Sequence, residues 1–569
     1  MTVIQGGVVR ACGIFFMCVL SSAFLHGLPR EIFLLEQARD LIAAHEKQVR
    51  ALQKEANLAW WDASLSGKDA DFTRKEKLQN QLDSVLHNEV RFAEIKELRN
   101  EPRWFKLDRS VARQIELLFY TYQPAQVDPE LNRQMNAKSN AIEQMFNTYR
   151  AKVGDKSYTS NEISDLLKNS LSSQERQQAW EASKGVGRVV EKDLLELVHL
   201  RNQSAQSLGY PNFHAMQLAL NEQNSVQVLQ LFDELDALTR EPFLRVKAEI
   251  DDKLAARFQI SPDALMPWHY QDLFFQEVPA VFDYNPDLIY DKEKIDLADM
   301  TRRFYASIGL PIDDILQKSS LYEQPGKSPH AFCTDIDREG DVRVLMNYQP
   351  NQYWMSTSLH EFGHSVYSSK YIPHSVPYLL RGEAHILTTE GLAMMFQRLV
   401  RKASWLQQMG VTIADPEGMN VAEKKMMRAE LLIFSRWTQV IFRFEKAMYE
   451  NPDQDLNALW WDLVEKYQGL KRPAGRNAPD YATKIHVVVA PCYYHNYEMG
   501  ELFASQVHHT IAKALGQSPA QTIYVNQPKV GQYLQEKIFA PGATLNWNEL
   551  TKFATGAPLS TAAFVEDLR

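Results

Sequence analysis

The chain has 569 residues, of which 45% are hydrophobic and 23% charged, proportions typical of a soluble globular protein. These values exclude a collagen-like protein, a disordered tail and a polytopic membrane protein. With 62 Lys and Arg against 71 Asp and Glu, the formal net charge is −9. Because nucleic-acid binding requires clustered basic residues, we expect no nucleic-acid partner.

The N-terminus has the pattern of a secretory signal. Arg10 precedes an apolar run that ends at Leu25 and is too short to span a bilayer comfortably. The pattern predicts a signal peptide over residues 1–23, cleaved after Ala23. The mature protein, residues 24–569, is then exported to a periplasmic or extracellular location with no stable membrane insertion. The alternative is an uncleaved segment that anchors the protein in a membrane.

The four cysteines are too few for a disulfide scaffold. Cys12 and Cys18 lie in the predicted signal, so only Cys333 and Cys492 remain in the mature chain. The sequence leaves open whether these two residues pair.

After the predicted signal, the chain has the periodicity of successive helices. Charged and apolar residues alternate at helical spacing over residues 31–57 and again over residues 73–98. A later segment has apolar residues at i, i+4, i+7 and i+8, which is typical of a helix with one buried face. These residues are Val190, Leu194, Leu197 and Val198. We therefore expect a mainly α protein in one large unit split by a cleft.

The clearest strand signal lies in residues 331–347. Val342, Val344 and Met346 alternate with the residues between them, after a turn near Gly340. Strand signals are otherwise rare, so the sequence predicts one small β-sheet.

The first chemical motif is HEFGH, residues 360–364. Residues four apart lie on the same face of a helix, so the imidazoles of His360 and His364 can converge on one metal ion. Glu361 follows His360 directly in the helix and so lies beside the remaining coordination position of the metal. There it can act as a general base. A helix with one buried face is also predicted by an apolar stripe. Its members are Met355, Leu359, Phe362 and Val366.

A third ligand is expected, because a catalytic zinc site takes three protein ligands and keeps one position open. The candidates are Glu383, His385 and Glu390. Glu390 opens an apolar helix 26 residues after His364, which suits an oxygen ligand delivered from a second helix. Glu383 lies in the preceding loop, where a solvated role is the alternative.

Three blocks of sequence carry a family resemblance. They are the HEFGH helix with Glu390, residues 329–333 (PHAFC) with His330 30 residues before His360, and residues 484–486 (KIH) followed by Tyr494 and Tyr497. Together they resemble the angiotensin-converting-enzyme-like (peptidyl-dipeptidase A) family of zinc metallopeptidases. They also share features with the related thimet-oligopeptidase-like family. The resemblance runs from about residue 60 to about residue 508.

The resemblance implies a large helical metallopeptidase domain over residues 24–569, with two lobes around a deep central cleft. It implies one Zn2+ ion held by His360, His364 and Glu390. In such enzymes the glutamate at the position of Glu361 acts as base and then as acid.

The resemblance also implies substrate contacts. His330 and the backbone of Ala331 would hold an extended peptide at the exposed edge of the hairpin. Lys484 and Tyr494 would bind the free C-terminal carboxylate, for which a lysine is a suitable point charge. The alternatives are a loop histidine without a role at position 330 and a solvated surface lysine at position 484.

Two further residues match the oxyanion site of the family. His486 and Tyr497 correspond to residues that donate hydrogen bonds to the oxyanion as the tetrahedral intermediate forms. Without the resemblance, a tyrosine-rich stretch on a helix is more often core packing. The spacing leaves Tyr493 as an alternative to Tyr494 for the carboxylate contact.

Three positions depart from the family pattern. The family pairs the lysine and tyrosine with a glutamine, and the corresponding segment here is residues 267–271 (PWHYQ). Asn496 replaces a chloride-binding arginine, so chloride activation is not carried over. Met394 replaces an acid four residues after the glutamate ligand. Because ligating histidines normally have a hydrogen-bond acceptor behind them, another group must orient His360 or His364.

The sequence therefore predicts zinc-dependent hydrolysis of peptide bonds in short peptides, resembling the release of C-terminal dipeptides. Within the same class, the alternative is an oligopeptidase that cuts internally. The alternative of another class is a catalytically silent member that binds peptides. Its expected sign is loss of Glu361 or of a metal ligand, and the sequence retains all of these residues.

Overall fold

The computed structural model describes residues 29–282, 285–287, 289–290 and 295–569. The predicted signal peptide and its cleavage site lie outside the described residues. Within the described ranges, no helix combines the length and apolar character needed to cross a membrane. The described chain is mainly α-helical, as predicted.

Helices and short hairpins follow one another along the chain. The helices before the first hairpin are α1 (Arg30–Ser66), α2 (Asp69–Leu86), α3 (Glu89–Asn100), α4 (Arg109–Tyr122) and α5 (Pro129–Thr148). The strands are β1 (Ala151–Val153), β2 (Lys156–Tyr158), β3 (Phe332–Asp335) and β4 (Val342–Leu345). The helices between the two hairpins are α6 (Ser160–Asn169), α7 (Ser173–Ser207), α8 (Phe213–Leu220), α9 (Ser225–Phe258), α10 (Leu297–Ser307) and α11 (Asp313–Lys318).

The remaining helices follow the second hairpin. They are α12 (Gln352–Val366), α13 (Ile386–Gln397), α14 (Ala403–Gln408), α15 (Pro416–Glu450), α16 (Leu456–Gln468), α17 (His486–Val489), α18 (His495–Ala514), α19 (Pro528–Leu534), α20 (Trp547–Thr555) and α21 (Ala562–Asp567). Short 3₁₀ segments are Pro102–Lys106, Gln123–Gln126, Pro262–Ala264, Pro267–His269, Tyr378–Leu380, Arg398–Arg401, Asp480–Thr483, Pro519–Gln521 and Gly542–Thr544. A π-helical turn covers Gln535–Phe539.

The described chain divides into two compact units. One contains residues 29–55 and 77–126, and the other contains residues 56–76 and 127–569. Helices α1 and α2 contribute residues to both units. The assignment of residues 24–569 to one domain, with two lobes around a cleft, stays a prediction.

In the first unit, a helix cap interrupts the helical pattern seen over residues 73–98. Helix α2 ends at Leu86, and the side-chain oxygen of Asn88 then accepts a hydrogen bond of 2.9 Å from the N–H of Arg91. This cap starts α3 as a separate helix, since it satisfies a backbone donor that has no partner in the first turn. The prediction of helical structure is confirmed, but the segment forms two helices.

The second unit contains two small antiparallel hairpins, β1–β2 and β3–β4. The second lies where the sequence predicted it, with Phe332 paired to Leu345. The expectation of one sheet was wrong in number, because β1 and β2 form another hairpin around a turn with Gly154 at φ +59°. Strands of three residues are too short to show an alternating pattern between flanking helices.

Two large hydrophobic clusters dominate the core of the second unit, one around α12 and α13 and the other around α7, α9 and α15. The stripes predicted on α7 and α12 are confirmed, because all of their side chains are fully buried. These residues are Val190, Leu194, Leu197, Val198, Met355, Leu359, Phe362 and Val366. Burial of such stripes is the main stabilisation of an amphipathic helix.

Cys333 and Cys492, the cysteines in the described part of the chain, are both free. They therefore do not pair with each other. Partial or full burial raises the pKa of both thiols. Cys492 is buried, as chemically inert structural thiols usually are, whereas Cys333 is half-buried.

Glycines allow α12, α13 and α18 to pack at short range. A Cβ atom at Gly363 on α12 would lie 2.9 Å from the Cα of Ala393 on α13. A Cβ at Gly391 on α13 would lie 2.5 Å from the carbonyl oxygen of Gly500 on α18. Only glycine permits backbones to approach so closely. These contacts hold together the three helices that carry most of the candidate site.

Candidate active site

Helix α12 carries the HEFGH motif. It begins at a cap, where the side-chain oxygen of Asn351 accepts a hydrogen bond of 2.8 Å from the N–H of Trp354. The buried stripe leaves His360 and His364 on the adjacent face, with 18% and 17% of their side chains exposed. Their Nε2 atoms lie 3.1 Å apart. The imidazoles therefore converge, as the spacing predicted.

Glu390 reaches the same point from α13. Its Oε2 lies 3.5 Å from Nε2 of His360 and 4.0 Å from Nε2 of His364. Glu390 lies in the second turn of α13, which begins at Ile386, so it does not open the helix as expected.

This donor set fits a zinc ion. The three donor atoms lie within 4.8 Å of one another. In the part of the chain that the structure describes, no other group of three His, Cys, Asp or Glu residues has this arrangement. Two ligands that bind one zinc at about 2.1 Å with a tetrahedral angle lie roughly 3.4 Å apart. Two imidazole nitrogens and one carboxylate oxygen are also the ligand types that zinc prefers.

The other two candidates for the third ligand lie outside this group. His385 is the N-cap of α13, and its Nδ1 accepts a hydrogen bond of 3.0 Å from the N–H of Leu387. Burial lowers the pKa of His385 to about 4. Glu383 is exposed to solvent. Neither residue belongs to the convergent set.

Glu361 lies beside the histidines on α12 and is 8% exposed. Burial raises the pKa of its carboxyl to about 7, although the backbone N–H of Cys333 on β3 donates a hydrogen bond to it. A carboxyl that titrates near neutral pH can both accept and release a proton. The side chain is therefore suited to general base and acid catalysis.

The edge of β3 that does not pair with β4 faces α12, and there the backbone N–H of Cys333 donates to Glu361. Cys333 lies opposite Val344, but the N–H of Val344 donates to Ser319 and its carbonyl accepts from Ser320. The pair therefore exchanges no ladder hydrogen bonds, and the backbone groups of Cys333 point away from β4. The alternation of a strand gives Ala331, immediately before β3, the same orientation. This edge can accept an added peptide strand.

A second group of polar side chains surrounds Lys484. Its Nζ donates a hydrogen bond of 2.8 Å to Oε1 of Gln276, and the hydroxyl of Tyr494 donates to the same oxygen at 3.4 Å. Lys484 is only 7% exposed, so the alternative of a solvated surface lysine is wrong. Burial lowers the pKa of its ammonium to about 8. An ammonium beside a hydroxyl and an amide is suited to binding a carboxylate.

Gln276 was missed in the sequence, where the glutamine was expected within residues 267–271. That segment ends at Gln271, whose Oε1 accepts a hydrogen bond of 2.6 Å from the N–H of Ala280. The loop then turns at Asp272, whose carboxylate accepts backbone hydrogen bonds from later residues, including Gln276. The only available signal was a second glutamine five residues further on, in QDLFFQ.

The rings of His486 and Tyr497 both neighbour the ring of Tyr494. Ring centres are 5.2 Å apart for His486 and Tyr494, and 5.5 Å apart for Tyr494 and Tyr497. Burial and the charge of Lys484 lower the pKa of His486 to about 4, so this imidazole is neutral at pH 7. Its buried Nδ1 has no hydrogen-bond partner among the described residues. A ligand could supply that partner.

Tyr493 and Tyr494, the two alternatives for the carboxylate contact, have different neighbours. Tyr494 shares Gln276 with Lys484, whereas Tyr493 packs against Tyr497 with ring centres 5.2 Å apart. Burial and the negative charge of Glu390 raise the pKa of Tyr497. Tyr497 therefore lies near the metal-ligand group, and Tyr494 lies beside Lys484 and Gln276.

Asn496 lies in a buried network of neutral groups. Its Oδ1 accepts a hydrogen bond of 2.6 Å from Nε2 of Gln223, and Oε1 of Gln223 lies 2.7 Å from Nε2 of His495. Burial and the neighbouring histidines hold the pKa of His495 well below its usual value, so it is uncharged at pH 7. These three side chains satisfy one another and supply no positive charge for an anion.

Comparison with known proteins is consistent with this fold and site. The profile of the angiotensin-converting enzyme family matches residues 35–271 and 281–566. The chain therefore belongs to the angiotensin-converting enzyme family. The gap in the match, residues 272–280, contains Gln276.

Individual relatives are distant. The angiotensin-converting enzyme of Mesocricetus auratus is 23% identical over 434 residues, which cover 71% of this chain and 32% of that protein. The angiotensin-converting enzyme of Theromyzon tessulatum is 24% identical over 283 residues, covering 47% and 44%. The angiotensin-converting enzyme-like protein Ace3 of Mus musculus is 21% identical over 448 residues, covering 71% and 58%. The matched region spans about a third of the first relative and less than two thirds of the others.

Proposed function

We propose that this protein is a zinc metallopeptidase that hydrolyses short peptides and releases dipeptides from their C-termini. The observation that carries the proposal is the convergence of His360, His364 and Glu390 beside the buried carboxyl of Glu361. Three protein ligands leave a fourth position open, as catalytic zinc sites require. Membership of the family supports the same class of enzyme.

The mechanism assigns each proton and each developing charge to a residue of this chain. Zinc, when bound, lowers the pKa of water and polarises a carbonyl. Glu361 accepts a proton from the attacking water and delivers it to the leaving amine. The hydroxyl of Tyr497 and the neutral imidazole of His486 donate hydrogen bonds to the oxyanion as it forms.

The position of the carboxylate-binding group supports dipeptide release. Nζ of Lys484 lies 5.3 Å from the centre of the Tyr494 ring, which in turn lies 5.5 Å from the centre of the Tyr497 ring. An extended dipeptide spans about 7 Å. Nζ of Lys484 is thus at most about 11 Å from the centre of the Tyr497 ring, so a peptide whose terminal carboxylate binds Lys484, Tyr494 and Gln276 would have a bond two residues from its end in the region of Tyr497.

The start of the unpaired edge of β3, at Ala331, would bind the rest of the substrate. Ala331 offers backbone hydrogen bonds there, and the exposed His330 precedes it. A strand added to an edge must be extended, so the substrates are short or unfolded peptides. Because this contact recognises the peptide backbone, we expect little preference for particular side chains in the substrate.

The N-terminal pattern supports export, so we include in the proposal a signal peptide over residues 1–23 and a periplasmic or extracellular location. Retention by an uncleaved N-terminal anchor is the alternative. The N-terminal sequence of the protein recovered from its producing cell distinguishes the two. A mature chain that starts at Phe24 or within a residue or two of it supports export, whereas an intact Met1 contradicts it.

The direct test combines metal analysis with mass spectrometry of cleaved peptides. We expect about one zinc per chain and release of a dipeptide from a peptide with a free C-terminus, including its N-acetylated form. C-terminal amidation should strongly reduce cleavage. Internal cleavage of a peptide blocked at both ends would favour the oligopeptidase alternative. Zinc binding without any cleavage would favour the catalytically silent alternative.

A matched pair of variants tests the role of Glu361. Glu361→Gln should keep its zinc and lower kcat by roughly 10²–10⁴-fold, because the amide cannot accept a proton. Glu383→Gln alters an exposed glutamate outside the ligand group and should keep both zinc and activity. Full peptidase activity of Glu361→Gln would rule out the mechanism.

A further inference from the structure

We propose that Thr389 and Gln397 are positioning residues that fix the two zinc-binding imidazoles through neutral hydrogen bonds. The inference rests on the proposed function, since it takes His360 and His364 to be metal ligands. It answers a question that the sequence raised, because the acid expected behind these histidines is absent. Met394 occupies that position and is buried in the hydrophobic core, only 7% exposed.

The nitrogens that face away from the metal-ligand group both have partners on α13. Nδ1 of His360 lies 2.7 Å from Oε1 of Gln397, and Nδ1 of His364 lies 2.7 Å from Oγ1 of Thr389. The opposite nitrogens, both Nε2, are the pair that lie 3.1 Å apart. Each imidazole is therefore held from behind while its Nε2 points to the shared centre.

These contacts determine the tautomer of each ring. A carbonyl oxygen only accepts hydrogen bonds, so Gln397 requires a proton on Nδ1 of His360 and leaves the Nε2 lone pair free. A hydroxyl can donate or accept. Because Nε2 of His364 must also offer a lone pair to a metal, Thr389 acts as the acceptor there.

The two partners and the third ligand share one rigid helix. Thr389, Ala393 and Gln397 are spaced four residues apart and lie on one face of α13. That face packs against α12, where the missing side chain of Gly363 lets Ala393 approach. The same helix carries Glu390, so a single packing contact sets both the third ligand and the orientation of the first two. The ligand geometry is therefore pre-organised before metal binds.

The absence of charge on Thr389 and Gln397 should affect how tightly the site binds zinc. A carboxylate behind a ligating histidine raises the electron density that the ring offers to the metal. Thr389 and Gln397 orient the rings without adding negative charge. The ligand group therefore has one negative charge, that of Glu390, and we expect weaker zinc retention than a carboxylate partner would give.

The test measures zinc affinity, by competition of the metal-free full-length protein against a chromophoric chelator. Thr389→Val removes a hydroxyl at almost constant shape, and Gln397→Leu removes an amide. Each should weaken zinc binding by roughly 10–100-fold. Thr389→Ser and Gln397→Glu keep an acceptor oxygen, so they should bind zinc within a fewfold of the unmodified chain or more tightly.

Thr388→Val is the matched control. The hydroxyl of Thr388 is fully buried on the same helix, but it donates to the backbone carbonyl of His385 and contacts neither ligand histidine. This variant should lose stability and keep its zinc affinity. Thermal unfolding of every metal-free variant measures the structural component separately.

The outcomes separate this inference from the function on which it rests. Zinc affinities of Thr389→Val and Gln397→Leu equal to that of the unmodified chain would overturn the positioning role and leave the proposed function standing. An equal loss of zinc affinity in Thr388→Val would also overturn the positioning role, since the loss would then reflect general destabilisation of the protein. An unmodified chain that binds no stoichiometric zinc would overturn the proposed function itself.

Discussion

Nζ of Lys484 donates a hydrogen bond of 2.8 Å to Oε1 of Gln276, although 208 residues separate them in the chain. The contact joins the loop before α10 to the segment before α17. It holds an ammonium in a buried position where a carboxylate could replace solvent as its partner. Two predictions follow from this pair.

Removing the amide of Gln276 should weaken recognition of the peptide C-terminus. We expect Gln276→Leu to raise KM about tenfold for peptides with a free carboxylate, a loss of about 1.4 kcal/mol. Lys484→Met should raise it by roughly a hundredfold, because a charged partner is lost. Steady-state kinetics on paired free and C-terminally amidated peptides measure both effects. An equal rise in KM for the amidated peptide would contradict a role of these residues in binding the carboxylate.

The burial of Lys484 also predicts a pH dependence. Because burial lowers the pKa of Lys484 to about 8, its ammonium is present below that pH and is lost above it. For peptides with a free carboxylate, kcat/KM should therefore fall as the pH rises from 7 to 9, towards tenfold per pH unit above the pKa. For amidated peptides, which have no terminal carboxylate, the loss of the ammonium should not lower kcat/KM. A profile that falls over this range in the unmodified chain but not in Lys484→Met would identify the group, whereas the same fall in both would contradict the assignment.

The network around Asn496 predicts insensitivity to chloride. Asn496, Gln223 and His495 bond to one another without a positive charge, so no cation at this position attracts an anion. Replacing sodium methanesulfonate, whose anion is not a carboxylate, by sodium chloride at constant ionic strength should change kcat/KM by less than about twofold, since screening is equal in the two salts. A strong stimulation by chloride over methanesulfonate would contradict this prediction.

The close packing of α12 on α13 predicts a cost for a side chain at Gly363. Gly363→Ala would place a Cβ 2.9 Å from the Cα of Ala393, and overpacking of this kind costs about 1–3 kcal/mol. The helices must separate, so zinc affinity should fall together with stability. Chemical denaturation and chelator competition measure the two effects. Gly382→Ala, where nothing lies within 4 Å of an added Cβ, is the matched control and should be neutral.

Some features of the site follow from local geometry and could be predicted without coordinates. The convergence of His360 and His364 needs only the pitch of a helix, and the buried stripe that defines the helix is local as well. Glu390 was predicted because a zinc site needs a third ligand of suitable chemistry. The hairpin β3–β4 was predicted because its alternation spans enough residues to be distinguished from helical periodicity.

Other features depend on contacts that leave no local pattern. The short hairpin β1–β2, the cap at Asn88 and the loop that carries Gln276 were missed or misplaced for this reason. Thr389 and Gln397 belong to an apolar helix whose periodicity says nothing about which polar side chain meets a histidine.

The amino-acid order alone thus determined the helical class of the protein and the three donor side chains, because helix pitch and ligand chemistry act over short spans or by residue type. Only the tertiary structure decided which amide meets Lys484, which groups hold the imidazoles from behind and how closely α12 approaches α13. These choices depend on helix packing between segments far apart in the chain, and packing is a property of the whole core rather than of any one stretch.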